Sequence, residues 1–185
     1  LEYLYDNNKL NKLGVTYAFG AGDYAEYLLR ADINEKMSYG DIVGIKGGKI
    51  SKNTDGAEKM MAISFKPIVL GNMPPPNHEH EYEKVAFMGQ VPVKVFGKVN
   101  IGDYILPSDK NDGLSSAISP SKITSKHIKN IVGIAWTAVD NIYGLNMVNV
   151  SVGLNNNDNN PIVEKLEKQI SDQEKELNEL KDLLT

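Results

Sequence analysis

The stretch YGDIVGIKGGKISKNTDGAEKMMAISF, residues 39–65, decides the fold. In it a Gly-Asp pair leads into a β-branched strand, the chain turns at glycines, a short strand returns, and an apolar strand follows. Residues 101–136 repeat this order, beginning IGDYILPSDKNDGLSSAIS and ending, after a polar insert, IKNIVGIAW. Two copies are too few for a solenoid, so the repeat predicts a compact, pseudo-symmetric β barrel or sandwich.

The sequence outside this repeat and before the C-terminal tail, which together with the repeat forms the body of the chain, also favours β-strands. Further strand candidates are residues 85–87, 91–96 and 147–152, which are rich in valine and bounded by turn residues. The chain has 185 residues, of which 41% are hydrophobic and 24% charged. These values are typical of one globular domain with a packed core and a short extension.

Composition excludes several classes of function. With no cysteine, the chain has no disulfide and no thiolate metal ligand. A formal net charge of −4 argues against non-specific binding to nucleic acid. The longest apolar block, 131–139, is far shorter than the roughly 20 residues that span a bilayer. No Gly-rich phosphate loop or nucleophile elbow is present, so no cofactor is expected.

The C-terminal tail carries a heptad pattern. Residues 155–160 form an Asn-rich linker, and Pro161 is a favourable first helical residue. Across 161–185, side chains spaced alternately by three and four residues form one seam: Val163, Leu166, Ile170, Gln173, Leu177, Leu180 and Leu184. This pattern predicts a coiled-coil helix through which copies of the chain associate.

Two alternatives for the tail stay open. A single amphipathic helix folded back on the body would also place apolar residues on one face, although the other faces here are almost wholly polar. The heptads do not distinguish a dimer from a trimer. Contact between Glu176 and Lys181 of neighbouring helices would help to set their register.

Asp23 and Glu26, in GAGDYAEYLLR, are a candidate catalytic pair. Their side chains share a face if the segment is helical and diverge if it is extended. Two carboxyl groups with different pKa values can divide the roles of general acid and general base. The alternative is that both are solvated or cap a turn.

His78 and His80, in NHEHEYE, are the candidate metal ligands. On a strand they would face one side and could share Zn²⁺ or Ni²⁺, with a third ligand from elsewhere. However, Pro74, Pro75 and Pro76 precede them and favour an exposed loop, in which these side chains are simply soluble. No metal site is therefore predicted.

An ordered series of motifs resembles a known family. Residues 20–72, GAGDYAEYLLRADINEKMSYGDIVGIKGGKISKNTDGAEKMMAISFKPIVLGN, are similar to the self-cleaving, intramolecular-chaperone domain of phage pre-neck appendage proteins and related tail-fibre C-termini. EYEKVAFMGQVPVKVFGKVNIGDYILPS at 81–108 matches its downstream pattern, and IVGIAWTAV and MVNVSVGL correspond to its closing strands. The resemblance covers residues 20–154.

The resemblance implies a function and a location. Members of the family form trimers, help their fibre to fold, and act as glutamic-type peptidases that cut their own chain just before the Asp of DYAE. Here the scissile bond would be Gly22–Asp23, with Glu26 and Asp23 as catalytic acids. Residues 1–19 would be the lead-in from an upstream fibre segment. The expected location is a virion tail fibre or another extracellular or cell-surface appendage, with the homotrimer itself as the main partner.

A second hypothesis comes from another functional class. The domain would be a non-enzymatic fibre tip that binds a glycan or another receptor on the host surface. Its binding residues would lie in Tyr-rich loops and in the loop at 78–83.

Overall fold

The computed structural model describes residues 22–153 and 160–183. Within them lie ten β-strands: β1 Asp23–Arg30, β2 Ile42–Lys46, β3 Lys49–Ser51, β4 Lys59–Ile63, β5 Val69–Gly71, β6 Tyr82–Phe96, β7 Tyr104–Pro107, β8 Ser115–Ile118, β9 Gly133–Ala135 and β10 Leu145–Val152. The same residues form two α-helices, α1 Ser125–Ile128 and α2 Asn160–Leu183, and two 3-10 turns, Glu79–Glu81 and Pro120–Lys122. The prediction of a mostly β body followed by a C-terminal helix is confirmed. The predicted lead-in 1–19, most of the linker and Leu184 lie outside the described residues.

Strand β6 belongs to two closed rings of hydrogen-bonded strands. The first ring runs β6–β4–β2–β3–β1 and returns to β6. The second runs β6–β8–β7–β9–β10 and again returns to β6. Strand β5 pairs with the outer side of β1. The barrel form of the predicted fold is therefore the correct one, and the two candidates 85–87 and 91–96 are parts of one 15-residue strand.

The sequence repeat corresponds to these two rings. Strands β2, β3 and β4 of the first ring occupy the places of β7, β8 and β9 in the second. In each ring the opening strand pairs in parallel with the second strand of the hairpin, β1 with β3 and β6 with β8. Strand β6 thus closes the first ring and opens the second.

The Gly-Asp pair of each copy makes the same turn. Asp41 and Asp103 are both buried, and each carboxylate accepts the backbone N–H three residues earlier at 2.8 Å. The preceding Gly40 and Gly102 have φ of +79° and +90°, which favours glycine at these positions. The repeated dipeptide is therefore a turn that starts the central hairpin of each ring.

Two hydrophobic clusters form the core. The smaller one comes from strands of the first ring: Val43, Ile50, Met61, Ile63 and Val85. The larger one joins the second ring to the opposite faces of β2, β4 and β6: Ile42, Met60, Ala62, Ala86, Val91, Val93, Val95, Val99, Ile105, Val132, Ala135, Val148, Val150 and Val152. Successive residues of β2 and β4 alternate between the clusters. These strands are buried on both faces, which explains their unbroken apolar runs.

Candidate functional site

The candidate carboxylates lie on the first strand of the first ring. Asp23 begins β1, so the segment is extended rather than helical. Asp23 and Ala25 are buried, whereas Tyr24 and Glu26 are half-buried and point to the other side. The structure therefore places Asp23 and Glu26 on opposite faces of one strand and does not bring their carboxyl groups together.

The Asp23 carboxyl is buried with little compensation. The residue is 2% exposed, and its Oδ2 makes no hydrogen bond within the described part of the chain. Burial raises the pKa of this carboxyl, because an apolar environment disfavours the charged form. The nearby Ser64 hydroxyl, the N–H of Asp23 itself and the positive charge of Lys84 lower the pKa by less. Ser64 Oγ is itself buried without a hydrogen bond of normal geometry, so the Ser64 contribution is weak.

Glu26 is held on the other face of the strand by a tyrosine. Tyr24 donates its hydroxyl to Glu26 Oε1 at 2.7 Å, and this hydrogen bond raises the pKa of Tyr24. The Tyr24 ring also meets Phe87 edge to face, with centroids 6.3 Å apart. The side chains of Tyr24 and Glu26 lie over Gly71 of β5, where an added Cβ would be 3.2 Å from the Tyr24 hydroxyl. The strand pairing thus fixes the position of the Glu26 carboxylate.

The Gly22–Asp23 peptide lies where β6 changes partners. Gly89 is the residue of β6 opposite both Asp23 of β1 and Val152 of β10. The Gln90 N–H donates to the Gly22 carbonyl oxygen at 2.9 Å. Gly89 has φ +115°, and a Cβ there would clash with the same oxygen. The strand can therefore approach the predicted scissile carbonyl only because residue 89 is glycine.

These neighbours were not identified from the sequence. The sequence around Ser64, Gln90 and Tyr24 shows no recognisable catalytic motif. A signal did exist for Gly89, because an isolated glycine inside the run VAFMGQV is typical of a bulge or of close approach by another backbone. In the structure Gly89 is the site of close approach, and the register of β1 against β6 shifts two residues away, at Phe87.

We expect Gly89→Ala to destabilise the domain more than an ordinary glycine substitution. The change adds a steric clash to the strain of a positive φ, for a combined cost of roughly 2–4 kcal/mol. Gly48→Ala is the matched control, because Gly48 has φ +75° and open space around it. Denaturant unfolding of both variants measures the difference; equal losses would show that the contact with Gly22 is not tight.

The candidate metal ligands lie on an exposed turn. His78 Nδ1 and Glu81 Oε1 are 2.7 Å apart at the start of the 3-10 turn Glu79–Glu81. Within 22–153 and 160–183, no group of three or more His, Asp or Glu side chains is placed to hold a metal ion. The structure therefore brings no third ligand to His78 and His80 from these residues.

The heptad seam of α2 is exposed in the single chain. Its described leucines and isoleucine are 52–58% exposed: Leu166, Ile170, Leu177 and Leu180. Gln173 is exposed as well, and Val163 is half-buried. Helix α2 contacts the short helix α1, but the seam is not buried against the barrels. No helix in the described residues is long and apolar enough to cross a membrane.

The solved structures that align with this chain include two of one phage protein. No family model and no curated protein matches the chain. The structure of pre-mature bacteriophage phi29 gene product 12 aligns with a TM-score of 0.48 and 16% identity, over 72% of this chain and 22% of that one. A C-terminal fragment of the same phage protein aligns with a TM-score of 0.44 and 17% identity, over 69% of this chain and 99% of the fragment. The chain thus spans less than a quarter of the length of the first protein.

Proposed function

We propose that this chain is the C-terminal trimerisation and intramolecular-chaperone domain of a phage tail fibre or similar surface fibre, and that it cuts itself between Gly22 and Asp23. The observation that carries the proposal is the position of this bond. Gly22 is exposed, and Asp23 is the buried first residue of the first ring. A cut there leaves all ten described strands in one product and releases the preceding segment.

The surroundings of the bond suit hydrolysis. Water attacks the Gly22 carbonyl carbon, and the resulting oxyanion needs a hydrogen-bond donor, which the Gln90 N–H supplies. When the carbon–nitrogen bond breaks, the Asp23 nitrogen needs a proton. The Asp23 carboxyl lies beside that nitrogen, and burial raises its pKa, which favours the protonated form that can act as the acid. Glu26 is the base that accepts the proton of the attacking water.

One chain does not complete this site. Glu26 and Asp23 leave β1 on opposite faces, so Glu26 is not beside the Asp23 carboxyl of its own chain. We assign the base to Glu26 of a neighbouring chain in the trimer. Cleavage would then wait for assembly, and only correctly associated fibres would be processed.

Association through α2 fits the role of a folding aid. Long β fibres fold slowly, because distant segments of several chains must meet in register before their contacts form. A small C-terminal module that associates first holds the three chains at a high effective concentration. The exposed seam of α2 is the surface through which the chains associate. The upstream fibre segment is the partner whose folding this association assists.

Light scattering combined with intact mass measurement tests the proposal. The expected result is three times the mass of one chain, 20.4 kDa, less the released segment where cleavage has occurred. A monomer at micromolar concentration would overturn the trimerisation proposal. A single uncut mass in a stable trimer would overturn the cleavage proposal alone.

A cleft beside β8 favours the second candidate function, a fibre tip that binds a receptor glycan. Its volume is about 310 Å³, and its lining combines the exposed ring of Phe96 and the apolar Leu114 with five polar side chains: Ser108, Lys110, Asp112, Ser115 and Ser116. Sugars are commonly held by such stacking together with hydrogen bonds.

If this cleft binds a glycan of the host surface, Phe96→Ala should weaken binding on a glycan array by at least about tenfold, because Phe96 is the one aromatic ring among the lining residues on which a sugar can stack. Tyr143→Ala removes an exposed aromatic ring elsewhere and is the control. An array without a bound glycan would exclude this function for the glycans tested.

A further inference from the structure

Asp23 poses an electrostatic problem in the uncut chain. Its carboxyl is buried, and Oδ2 has no partner in the described residues. The other charged side chains of β1 and β6 are Glu26, Arg30, Glu83, Lys84 and Lys94, and Lys66 lies exposed between β4 and β5. Arg30 pairs with Glu83 and Lys94 with Asp41, and only the charge of Lys84 acts on Asp23. None of these side chains forms an ion pair with Asp23. At neutral pH the folded chain must either hold a buried charge or keep a proton that water would remove, and both options reduce stability.

The nitrogen of the predicted scissile bond is close to this carboxyl. The Asp23 N–H lies beside the carboxyl of its own residue. Hydrolysis places a hydroxyl on the Gly22 carbonyl carbon and protons on the Asp23 nitrogen. At neutral pH the products are a carboxylate on Gly22 and an α-ammonium group on Asp23. A positive charge is thus created next to the buried carboxyl.

We propose that cleavage at Gly22–Asp23 supplies the missing partner of the Asp23 carboxylate, so that the domain becomes more stable when it is cut. This inference rests on the proposed site of cleavage. The new α-ammonium group and the carboxylate form an ion pair within one residue at the junction of the two rings. The uncut domain is then the less stable form, and processing drives it into a more stable one.

The two forms respond differently to pH. In the uncut domain the pKa of Asp23 is raised above the unfolded value of 3.8, so stability declines as pH rises from about 4 through the raised pKa. In the cut domain the carboxylate is paired, and this decline is absent until the α-ammonium group loses its proton above about pH 8.

The test compares cut and uncut forms of the same full-length chain. Glu26→Gln keeps the chain uncut, and a site-specific protease whose recognition sequence replaces residues 17–22 then cuts it directly before Asp23. Thermal melts are recorded from about pH 4 to pH 8 before and after cutting. We expect the midpoints to agree at pH 4 and the cut form to melt on the order of 3–8 °C higher at pH 7.

Asp23→Asn is the control, because the amide keeps the shape of the side chain and removes the charge. In this variant cutting should not change the pH dependence. The new α-amine provides a second measurement, an NMR titration after isotopic methylation. Its pKa should lie above the usual range of about 7.7–8.0 when Asp23 is present and within that range in the Asp23→Asn variant.

Equal pH dependence of cut and uncut chains, or an ordinary pKa for the α-amine beside Asp23, would overturn the inference. Spontaneous cleavage is read separately from the mass of the wild-type chain. The protease-cut arm therefore remains informative even where the wild type does not cut itself.

Discussion

Glu26→Gln should leave the chain in one piece under conditions in which the wild type separates into residues 1–22 and 23–185. The substitution keeps the size of the side chain and the hydrogen bond from Tyr24, but it removes the carboxylate that we propose as the base accepting a proton from water. General-base catalysis typically contributes about 10²–10⁴-fold to a rate, so we expect a loss of that size. The measurement is intact mass against time after refolding.

A matched control is Glu79→Gln, which makes the same chemical change on an exposed turn and should cleave at the wild-type rate. Equal rates for Glu26→Gln and the wild type would show that Glu26 is not the base.

Mixed trimers test whether Glu26 acts between chains. Chains with Glu26→Gln still contain the acid Asp23, and chains with Asp23→Asn still contain the base Glu26. When the two are refolded together, we expect the Glu26→Gln chains to be cut by their neighbours. No cleavage in the mixed trimers, under conditions in which the wild type is cut, would place the complete site in one protomer.

Ile170→Asp should convert the proposed trimer to monomers at micromolar concentration. The side chain occupies the centre of the described seam and is 55% exposed in the single chain. In a trimer, three aspartates would be buried around one axis, and unpaired buried charges cost several kcal/mol each. Sedimentation equilibrium measures the change. The barrel core should stay folded, because the seam does not contribute to either hydrophobic cluster.

Ser171→Asp is the control for Ile170→Asp. It adds the same charge one position away from the seam, on a fully polar face of α2. We expect it to leave the trimer intact. Dissociation by both variants would mean that net charge, rather than the seam, governs association.

The sequence was most informative where packing acts on both faces of a strand or where a turn requires a particular residue. The Gly-Asp pairs and the apolar runs after them predicted the repeat, because those positions have few alternatives. The tail helix was predicted from its heptad period. The sharing of β6 was not predicted, since Gly89 looks like a boundary between two strands but is the point where one strand changes partners.

The candidate site was predicted only in its position along the chain. Asp23 and Glu26 lie on the first strand, yet their opposite orientation follows from an extended backbone that local sequence left open. The close approach of Gln90 to the Gly22 carbonyl depends on pairing between strands that are far apart in the sequence. Such contacts arise from tertiary structure, which spacing within one segment does not reveal.

The strand common to both rings, β6, also determines how the domain unfolds. Opening either ring would expose the larger hydrophobic cluster, which packs the second ring against β2, β4 and β6, so we expect the two halves to unfold in one transition. The amide hydrogens in the middle of β6 should therefore exchange with solvent only when the whole body unfolds. Tension applied at Asp23 would act on the pairing of β1 with both Gly89 of β6 and the adjoining β5, so we expect the junction at Gly89 to bear much of the mechanical load.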